Sequence, residues 1–199
     1  MSGEEPAETA LISAVAAGDA SAFAALYRRR RADVYRFAFA MSRSPSIAQD
    51  VVQEVFLALL ESAGRYDAAK GSVRAWLLGA ARHVVLDRLR AESRWSYEPG
   101  AHEEPAVQCT GEEQIFAAQR LARLHAAIVE LPFEYRETLA LCELAELSYA
   151  ESAAVLGCPI GTVRSRLHRA RALLTAKLGE NAAERTAEQP ILKTGEVCR

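Results

Sequence analysis

The chain has 199 residues, half of them apolar, and a formal net charge of −2. This length and composition allow one or two small domains with hydrophobic cores. No stretch approaches about 18 uninterrupted apolar residues, and the acidic N-terminus lacks the basic segment of a secretory signal, so we expect no membrane insertion and a cytoplasmic location. Abundant Ala, Leu, Arg and Glu, with few aromatic and β-branched runs, predict an all-α fold.

Two changes in composition divide the chain. Helical patterns run from about Glu8 to Arg94 and resume from about Gln114 to Leu178. Residues 96–113 contain five glutamates, two prolines and two glycines but no lysine or arginine, which predicts an acidic, flexible linker. We therefore expect two small helical domains, and a C-terminal tail over 179–199 that is polar and disordered.

The most specific motif lies in the second domain and predicts a helix-turn-helix. Ser148 and Glu151 form the S-x-x-E pattern of a capping box, and Gly157 can end that helix in a left-handed conformation. Pro159 fits the start of a second helix, which holds no acid between Ile160 and Lys177. A basic helix after a tight turn is suited to the major groove of DNA.

The helical period predicts which side chains of the basic helix face DNA. At about 100° per residue, one apolar stripe packs inward; it consists of Val163, Leu167, Ala170 and Leu174. The opposite face is expected to contact base edges and phosphates; its centre holds Ser165, His168 and Arg169, flanked by Thr162 and Arg164, with Arg166 and Arg171 at its borders. The alternative is an ordinary solvated basic face.

A helix predicted over Ser46–Glu61, beginning with an S-x-x-Q cap at Ser46, carries a second signal. Its apolar face comprises Val51, Val52, Val55, Phe56 and Leu59. Its other side has a leucine framed by acids and an amide: Asp50, Gln53, Glu54, Leu57 and Glu61. That stripe fits either a protein-binding patch with a polar rim or an ordinary amphipathic helix, and periodicity alone favours the latter.

The segment Lys70–Arg94 places an indole in line with polar and basic groups. Its core face comprises Leu77, Ala81, Val84 and Leu78 or Val85, and a different face carries Trp76, Ala80, His83, Asp87 and Arg90. Cations beside an aromatic ring suit single-stranded or distorted DNA. A buried core tryptophan is the competing interpretation.

No motif in the chain indicates catalysis or a cofactor. There is no phosphate-binding G-x-x-x-x-G-K-[ST] and no nucleophile–base motif. The four cysteines, Cys109, Cys142, Cys158 and Cys198, have no metal-ligand spacing and are interpreted as free thiols. We therefore expect a protein that is not an enzyme and uses neither metal nor cofactor.

Together these motifs resemble the bacterial RNA polymerase sigma factors of the extracytoplasmic-function group. The resemblance rests on four segments in order: FAALYRRRRADVYRFA, AQDVVQEVFLALL, GSVRAWLLGAARHVVLDRLR and LPFEYRETLALCELAELSYAESAAVLGCPIGTVRSRLHRARALL. It implies an N-terminal extension over 1–18, a region-2 domain over 19–95, the acidic linker over 96–113 and a region-4 helix-turn-helix over 114–178. The linker would lie in the polymerase channel.

The resemblance also implies roles for the candidate residues. The stripe containing Asp50, Gln53, Glu54, Leu57 and Glu61 would bind core polymerase at the β′ clamp, with further contacts to the β subunit. The −10 promoter element would be recognised and opened by Arg74, Trp76, His83, Asp87, Arg88 and Arg90. The −35 element would be recognised by the basic helix, through Thr162, Arg164, Ser165, Arg166, His168, Arg169 and Arg171.

Two further expectations follow from the resemblance. His83 stands where this group often has asparagine, so the preferred −10 base is expected to differ from that of the group. An anti-sigma protein commonly holds such factors inactive. The competing class is a two-domain helix-turn-helix regulator whose first domain binds a ligand or dimerises, and an enzyme with a DNA-binding tail is a third possibility. Co-purification with core polymerase distinguishes the first two.

Overall fold

A computed structural model describes the backbone of residues 7–94 and 112–188 and the side chains of residues 7–91 and 119–179. Within these ranges the chain forms α-helices and no β-strand, which confirms the all-α prediction. The first domain contains α1 (Glu8–Ala16), α2 (Ala20–Ser42), α3 (Pro45–Ser62) and α4 (Val73–Arg94). The second contains α5 (Glu112–Val129), α6 (Phe133–Leu139), α7 (Tyr149–Leu156) and α8 (Ile160–Glu188).

Short helical turns connect some of these helices. Two 3₁₀ turns, Ala63–Arg65 and Ala68–Lys70, join α3 to α4, and a π-helical turn at Ala140–Leu144 follows α6 directly. The predicted helix from Lys70 therefore begins three residues later, at Val73.

In the first domain, α2 packs against α1, α3 and α4. Its core is built from nearly inaccessible apolar side chains, each of which contributes roughly 1.5–3 kcal/mol by burial; they include Leu26, Val34, Phe37, Val51, Val55, Leu59, Leu77, Leu78 and Val85. The predicted apolar face of α3 is confirmed, because all five of its members are buried. On α4 the core face is also as predicted, except that Val84 is only half-buried.

In the second domain, α8 packs against α5, α6 and α7. Val163, Leu167 and Ala170 are buried, and Leu174 is half-buried against the same cluster. The predicted phase of the basic helix is therefore confirmed. Since this stripe faces the core, the opposite side of α8 is open to solvent.

Local capping interactions define the helix-turn-helix. The Ser148 hydroxyl accepts a hydrogen bond from the Glu151 backbone N–H at 3.2 Å, and the Glu151 carboxylate accepts one from the Ser148 N–H at 3.0 Å. Gly157 has φ 65°, a left-handed conformation that a residue without Cβ adopts at little cost. Because α8 starts at Ile160, directly after Pro159, the predicted motif is confirmed.

The start of α3 differs from the prediction. The cap is Ser44 rather than Ser46, and its hydroxyl accepts a hydrogen bond from the Ile47 N–H at 3.3 Å. Pro45 then occupies the first helical turn, where its fixed φ suits a helix and its missing N–H needs no partner. The helix therefore begins before the serine that the S-x-x-Q pattern selected.

The end of the chain and the linker also differ in extent. α8 continues through Gly179 to Glu188, so the prediction of a disordered tail is wrong for residues 179–188. One glycine costs about 1 kcal/mol relative to alanine, and the alanines and glutamates that follow favour helix. α5 begins at Glu112, within the predicted linker. The rest of the linker and of the tail lies outside the described residues.

The two domains are in contact, which the prediction of two bundles on a linker does not include. α4 packs against α7, and α2 packs against α6. Ala140, Leu141 and Leu147 belong to the same apolar cluster as the core of the first domain. An ion pair also crosses the boundary, from Arg82 Nε to Glu137 Oε2 at 2.9 Å.

Candidate functional site

One candidate surface lies on α3, opposite its buried face. Every predicted member of the stripe is exposed: Asp50, Gln53, Glu54, Leu57 and Glu61. Leu57 is 62% exposed, the highest value among the large apolar side chains of the described residues. Leu60 is 51% exposed and lies three residues further on, beside Leu57 on the helix surface. Sequence analysis missed Leu60, although this spacing could have indicated it.

Arg88 of α4 reaches the acidic part of that surface. Its Nη1 lies 3.0 Å from Asp50 Oδ2, and its Nη2 contacts Glu54 Oε1. Partial burial lowers the pKa of Arg88, but the hydrogen bond and charge of Glu54 outweigh burial, so that the net shift is upward. We define the docking face as Asp50, Gln53, Glu54, Leu57, Leu60 and Glu61, with Arg88 at its edge.

A second candidate surface lies on α4. His83, Asp87 and Arg90 are exposed on one side of the helix, and the Asp87 carboxylate lies close to both other side chains. Its Oδ2 is 3.4 Å from His83 Nε2, and its Oδ1 is 3.1 Å from Arg90 Nη1. Trp76 shares this side but is half-buried, with its ring edge-on to Tyr66 at 6.1 Å between centroids. Trp76 is therefore partly a core residue and partly available for contact with DNA, so that each of the two interpretations holds in part.

The structure does not bring all the predicted −10 residues together. Arg74 binds the buried carboxylate of Asp33 at 2.9 Å, and Arg88 binds the acids of α3. Neither shares the exposed side of α4 with His83 and Arg90. The α4 surface therefore consists of Trp76, His83, Asp87 and Arg90.

The third candidate surface is the exposed side of α8. Arg164, Ser165, His168, Arg169 and Arg171 are exposed, whereas Thr162 and Arg166 are half-buried at its border. Tyrosines support two of the arginines from the other helices: the Arg164 guanidinium lies 5.9 Å from the Tyr149 ring centroid, and Arg169 Nη1 is 3.5 Å from Tyr135 Oη.

The two border arginines contact acidic side chains of the second domain. Arg171 forms an ion pair with Glu143, and Arg166 Nη1 lies 3.9 Å from Glu137 Oε1. The exposed side of α8 nevertheless concentrates positive charge in a shape that fits the major groove.

Two buried carboxylates, Asp33 and Glu137, were missed by sequence analysis. Asp33 is surrounded by arginines, and Glu137 lies between Arg82 of the first domain and Arg166 of α8. Burial raises the pKa of Asp33, but the Arg30 hydrogen bond and the Arg74 charge together lower it by more than burial raises it, so that the pKa lies below the usual value. For Asp33 the only sequence signal was its position just after a run of four arginines, residues 28–31.

Neither a metal site nor a membrane span is found in the described parts of the chain. Over residues 7–94 and 112–188, no three His, Cys, Asp or Glu side chains are grouped closely enough to hold a metal ion. No helix in those ranges is long and apolar enough to cross a membrane.

Comparison with known proteins identifies both domains. The sigma-70 region 2 family matches residues 26–94, and the sigma-70 region 4 family matches residues 121–174. The chain is 39% identical over 174 residues to the probable RNA polymerase sigma-C factor of Mycobacterium bovis, covering 87% of this chain and 92% of that protein. It is 35% identical to the ECF RNA polymerase sigma factor SigE of Mycolicibacterium smegmatis, covering 91% of this chain and 71% of that protein.

Solved structures have the same fold. CnrH, solved in complex with the cytosolic domain of CnrY, superposes with a TM-score of 0.67 at 26% identity, covering 88% of this chain and 99% of that one. RpoE of Bartonella quintana, solved with the anti-sigma factor NepR, gives a TM-score of 0.62 at 24% identity over 75% of this chain and 91% of that one. These findings do not favour the two-domain regulator. The chain belongs to the extracytoplasmic-function group of the sigma-70 family of transcription initiation factors.

Proposed function

We propose that this sigma factor binds the β′ clamp of core RNA polymerase through the docking face of α3. The observation that carries the proposal is a pair of exposed leucines framed by carboxylates on a region-2 helix. Apolar side chains at the centre of a patch with a polar rim are the usual composition of a protein interface. The acids would match a basic partner and guide the encounter.

The promoter surfaces follow from the other two helices. Trp76, His83, Asp87 and Arg90 of α4 contact the −10 element, where cations meet phosphates and the aromatic ring supports an unpaired base. Arg164, Ser165, His168 and Arg169 of α8 contact base edges of the −35 element, and Thr162, Arg166 and Arg171 contact its backbone. The acidic linker occupies the polymerase channel; its residues 96–111 lie outside the described residues.

The mechanism is one of binding and positioning, and no bond of the substrate is made or broken by this chain. The factor acts in the cytoplasm, where core polymerase and promoters are found. An anti-sigma protein is its regulator, in line with the complex of RpoE with the anti-sigma factor NepR.

The proposal is tested by titrating core polymerase with the full-length variant Leu57→Ala/Glu54→Lys. We expect weaker binding and reduced run-off transcription with an unchanged helical content, because the variant removes the most exposed leucine and reverses one charge. Leu121→Ala/Glu134→Lys is the matched control, since it changes an exposed leucine and an exposed glutamate away from α3. Wild-type affinity of the first variant for core polymerase would contradict the proposal.

A further inference from the structure

Arg88 is anchored to both acids of the docking face. Its guanidinium contacts one oxygen of Asp50 and one oxygen of Glu54, two carboxylates that lie one helical turn apart on α3. About half of each acidic side chain stays exposed, at 51% for Asp50 and 47% for Glu54. Arg88 therefore holds the two acids without covering them.

The position of Arg88 on α4 separates it from the promoter surface. It follows His83 by five residues, which places it about 140° around the helix at about 100° per residue. Its side chain is 31% exposed, against 79% for His83 and 63% for Arg90. Its Nε is buried without a hydrogen bond to any described residue, so the side chain is packed between α3 and α4 rather than extended into solvent.

We propose that Arg88 is a positioning residue of the polymerase-docking face, which orders the carboxylates of Asp50 and Glu54 for a basic partner. This inference rests on the proposed function of that face. It replaces the role in −10 recognition that the family resemblance implies for Arg88.

The physical basis is the cost of ordering flexible side chains on association. An exposed aspartate or glutamate samples several rotamers, and fixing each one at an interface opposes binding. The planar fork of an arginine can bind two oxygens in a defined geometry, so that this ordering precedes the encounter. The opposite electrostatic effect also exists, because Arg88 cancels negative charge that would attract a basic partner. If ordering dominates, removal of the Arg88 side chain weakens binding to core polymerase; if charge cancellation dominates, its removal strengthens binding.

The first experiment compares full-length Arg88→Ala and Arg90→Ala in a titration of core polymerase. Each variant removes one arginine from α4, but on different sides of the helix. We expect Arg88→Ala to bind core polymerase roughly fivefold to tenfold more weakly, mainly through faster dissociation. Arg90→Ala should keep the affinity for core polymerase and weaken promoter binding by the assembled holoenzyme. Arg88→Lys, which keeps the charge but not the fork, should recover only part of the affinity.

A double-mutant cycle tests whether Arg88 acts through the acids. In the Asp50→Asn/Glu54→Gln background, Arg88→Ala should cause no further loss of core affinity, because there are no carboxylates left to order. A general structural role would instead lower the urea midpoint of unfolding and weaken binding in both backgrounds.

Several outcomes would overturn the inference. Tighter core binding by Arg88→Ala would show that the arginine only neutralises the face. Unchanged core affinity with altered −10 selection would return Arg88 to the promoter surface, and an equal loss in both backgrounds would exclude action through the acids. Wild-type core affinity of Asp50→Asn/Glu54→Gln itself would instead refute the proposed docking face, and the inference with it.

Discussion

Asp33 is a buried carboxylate that joins three helices. It accepts hydrogen bonds from Arg30 and Arg36 of α2, at 2.7 and 2.6 Å, and from Arg74 of α4 at 2.9 Å. Arg30 in turn binds Glu8 of α1 at 2.6 Å. Because a buried charge is tolerated only when it is paired, this network explains why an arginine of the predicted promoter surface faces inward.

Replacing Asp33 with asparagine should lower the free energy of unfolding at pH 7 by roughly 2 kcal/mol, the scale of hydrogen bonds to charged groups. The folded pKa is depressed, so the contribution is present above the unfolded pKa of about 3.9 and is lost as pH falls from there towards the folded pKa. Urea unfolding should therefore show a constant difference in the free energy of unfolding between wild type and Asp33→Asn from pH 7 to about 5, and a smaller difference below about pH 4.

The exposed ion pair of Asp67 with Lys70, at 3.8 Å, supplies the control for this measurement. Asp67→Asn should change stability little at any pH, since exposed pairs contribute little. An equal effect of the two substitutions would contradict a special role for the buried network.

His83 departs from the asparagine that this family often carries, and its side chain is 79% exposed beside Asp87. His83→Asn should keep transcription active but change the preferred −10 base, because an amide presents a donor and an acceptor on one edge, whereas an imidazole presents them on opposite sides of a ring. Selection from a randomised promoter by the two holoenzymes measures this. Identical selected sequences would leave His83 without a role in recognition.

At the scale of the element, α8 is positioned by its neighbours before it meets DNA. The capping box and the left-handed Gly157 set the angle between α7 and α8, and Val163, Leu167 and Ala170 set the rotation of α8 about its axis. The exposed side is thus defined to within a fraction of a turn. Because the rotation of α8 is fixed, its central and its border arginines lie at different positions relative to DNA and can have different roles.

The Arg169→Ala and Arg171→Ala substitutions should affect −35 binding differently. Arg169 lies at the centre of the exposed side, so its loss should weaken binding roughly fivefold to a hundredfold and relax the preference at one or two base pairs. Arg171 lies at the border and pairs with Glu143, so its loss should weaken binding more evenly across sequences. Holoenzyme affinities on single-base variants of the −35 element distinguish them. A change of base preference with Arg171→Ala alone would show that the assigned rotation is wrong.

At the scale of the whole molecule, Glu137 connects the two domains. Its side chain is 5% exposed, and it lies 2.9 Å from Arg82 of α4 and 3.9 Å from Arg166 of α8. Ser72, just before α4, also donates a hydrogen bond to the Glu151 carboxylate. The contact between the domains is therefore partly ionic, and it involves the helices that carry the proposed promoter surfaces.

Glu137→Ala should weaken this contact and let the domains separate, because both arginines are partly exposed and can rehydrate. Small-angle scattering of the full-length variant should show a larger radius of gyration than that of the wild type. The radius of gyration of the wild type should itself increase at high salt, because salt screens the ion pairs between the domains. Glu143→Ala is the control, since it breaks an exposed ion pair that lies wholly within the second domain. An equal radius of gyration for Glu137→Ala and the wild type would mean that the apolar contacts alone hold the domains together.

The sequence by itself determined the local features of this protein. The helix-turn-helix could be predicted because a capping box, a left-handed glycine and a helical apolar stripe depend only on residues close in the chain. The exposed stripe of α3 was predictable for the same reason, whereas the S-x-x-Q pattern pointed to Ser46 as the cap and Pro45 in the first helical turn makes Ser44 the cap instead.

Only the tertiary structure decided which charges lie on the exposed side of a helix and which are held between helices. Arg74 and Arg88 carry the same charge as Arg90, and the sequence cannot distinguish them. Their partners, Asp33 and the acids of α3, are more than 30 residues away in the chain. The same holds for Glu137, whose burial depends on contact between the domains. The energy of a charge depends on what surrounds it in space, and periodicity along one helix carries no information about that.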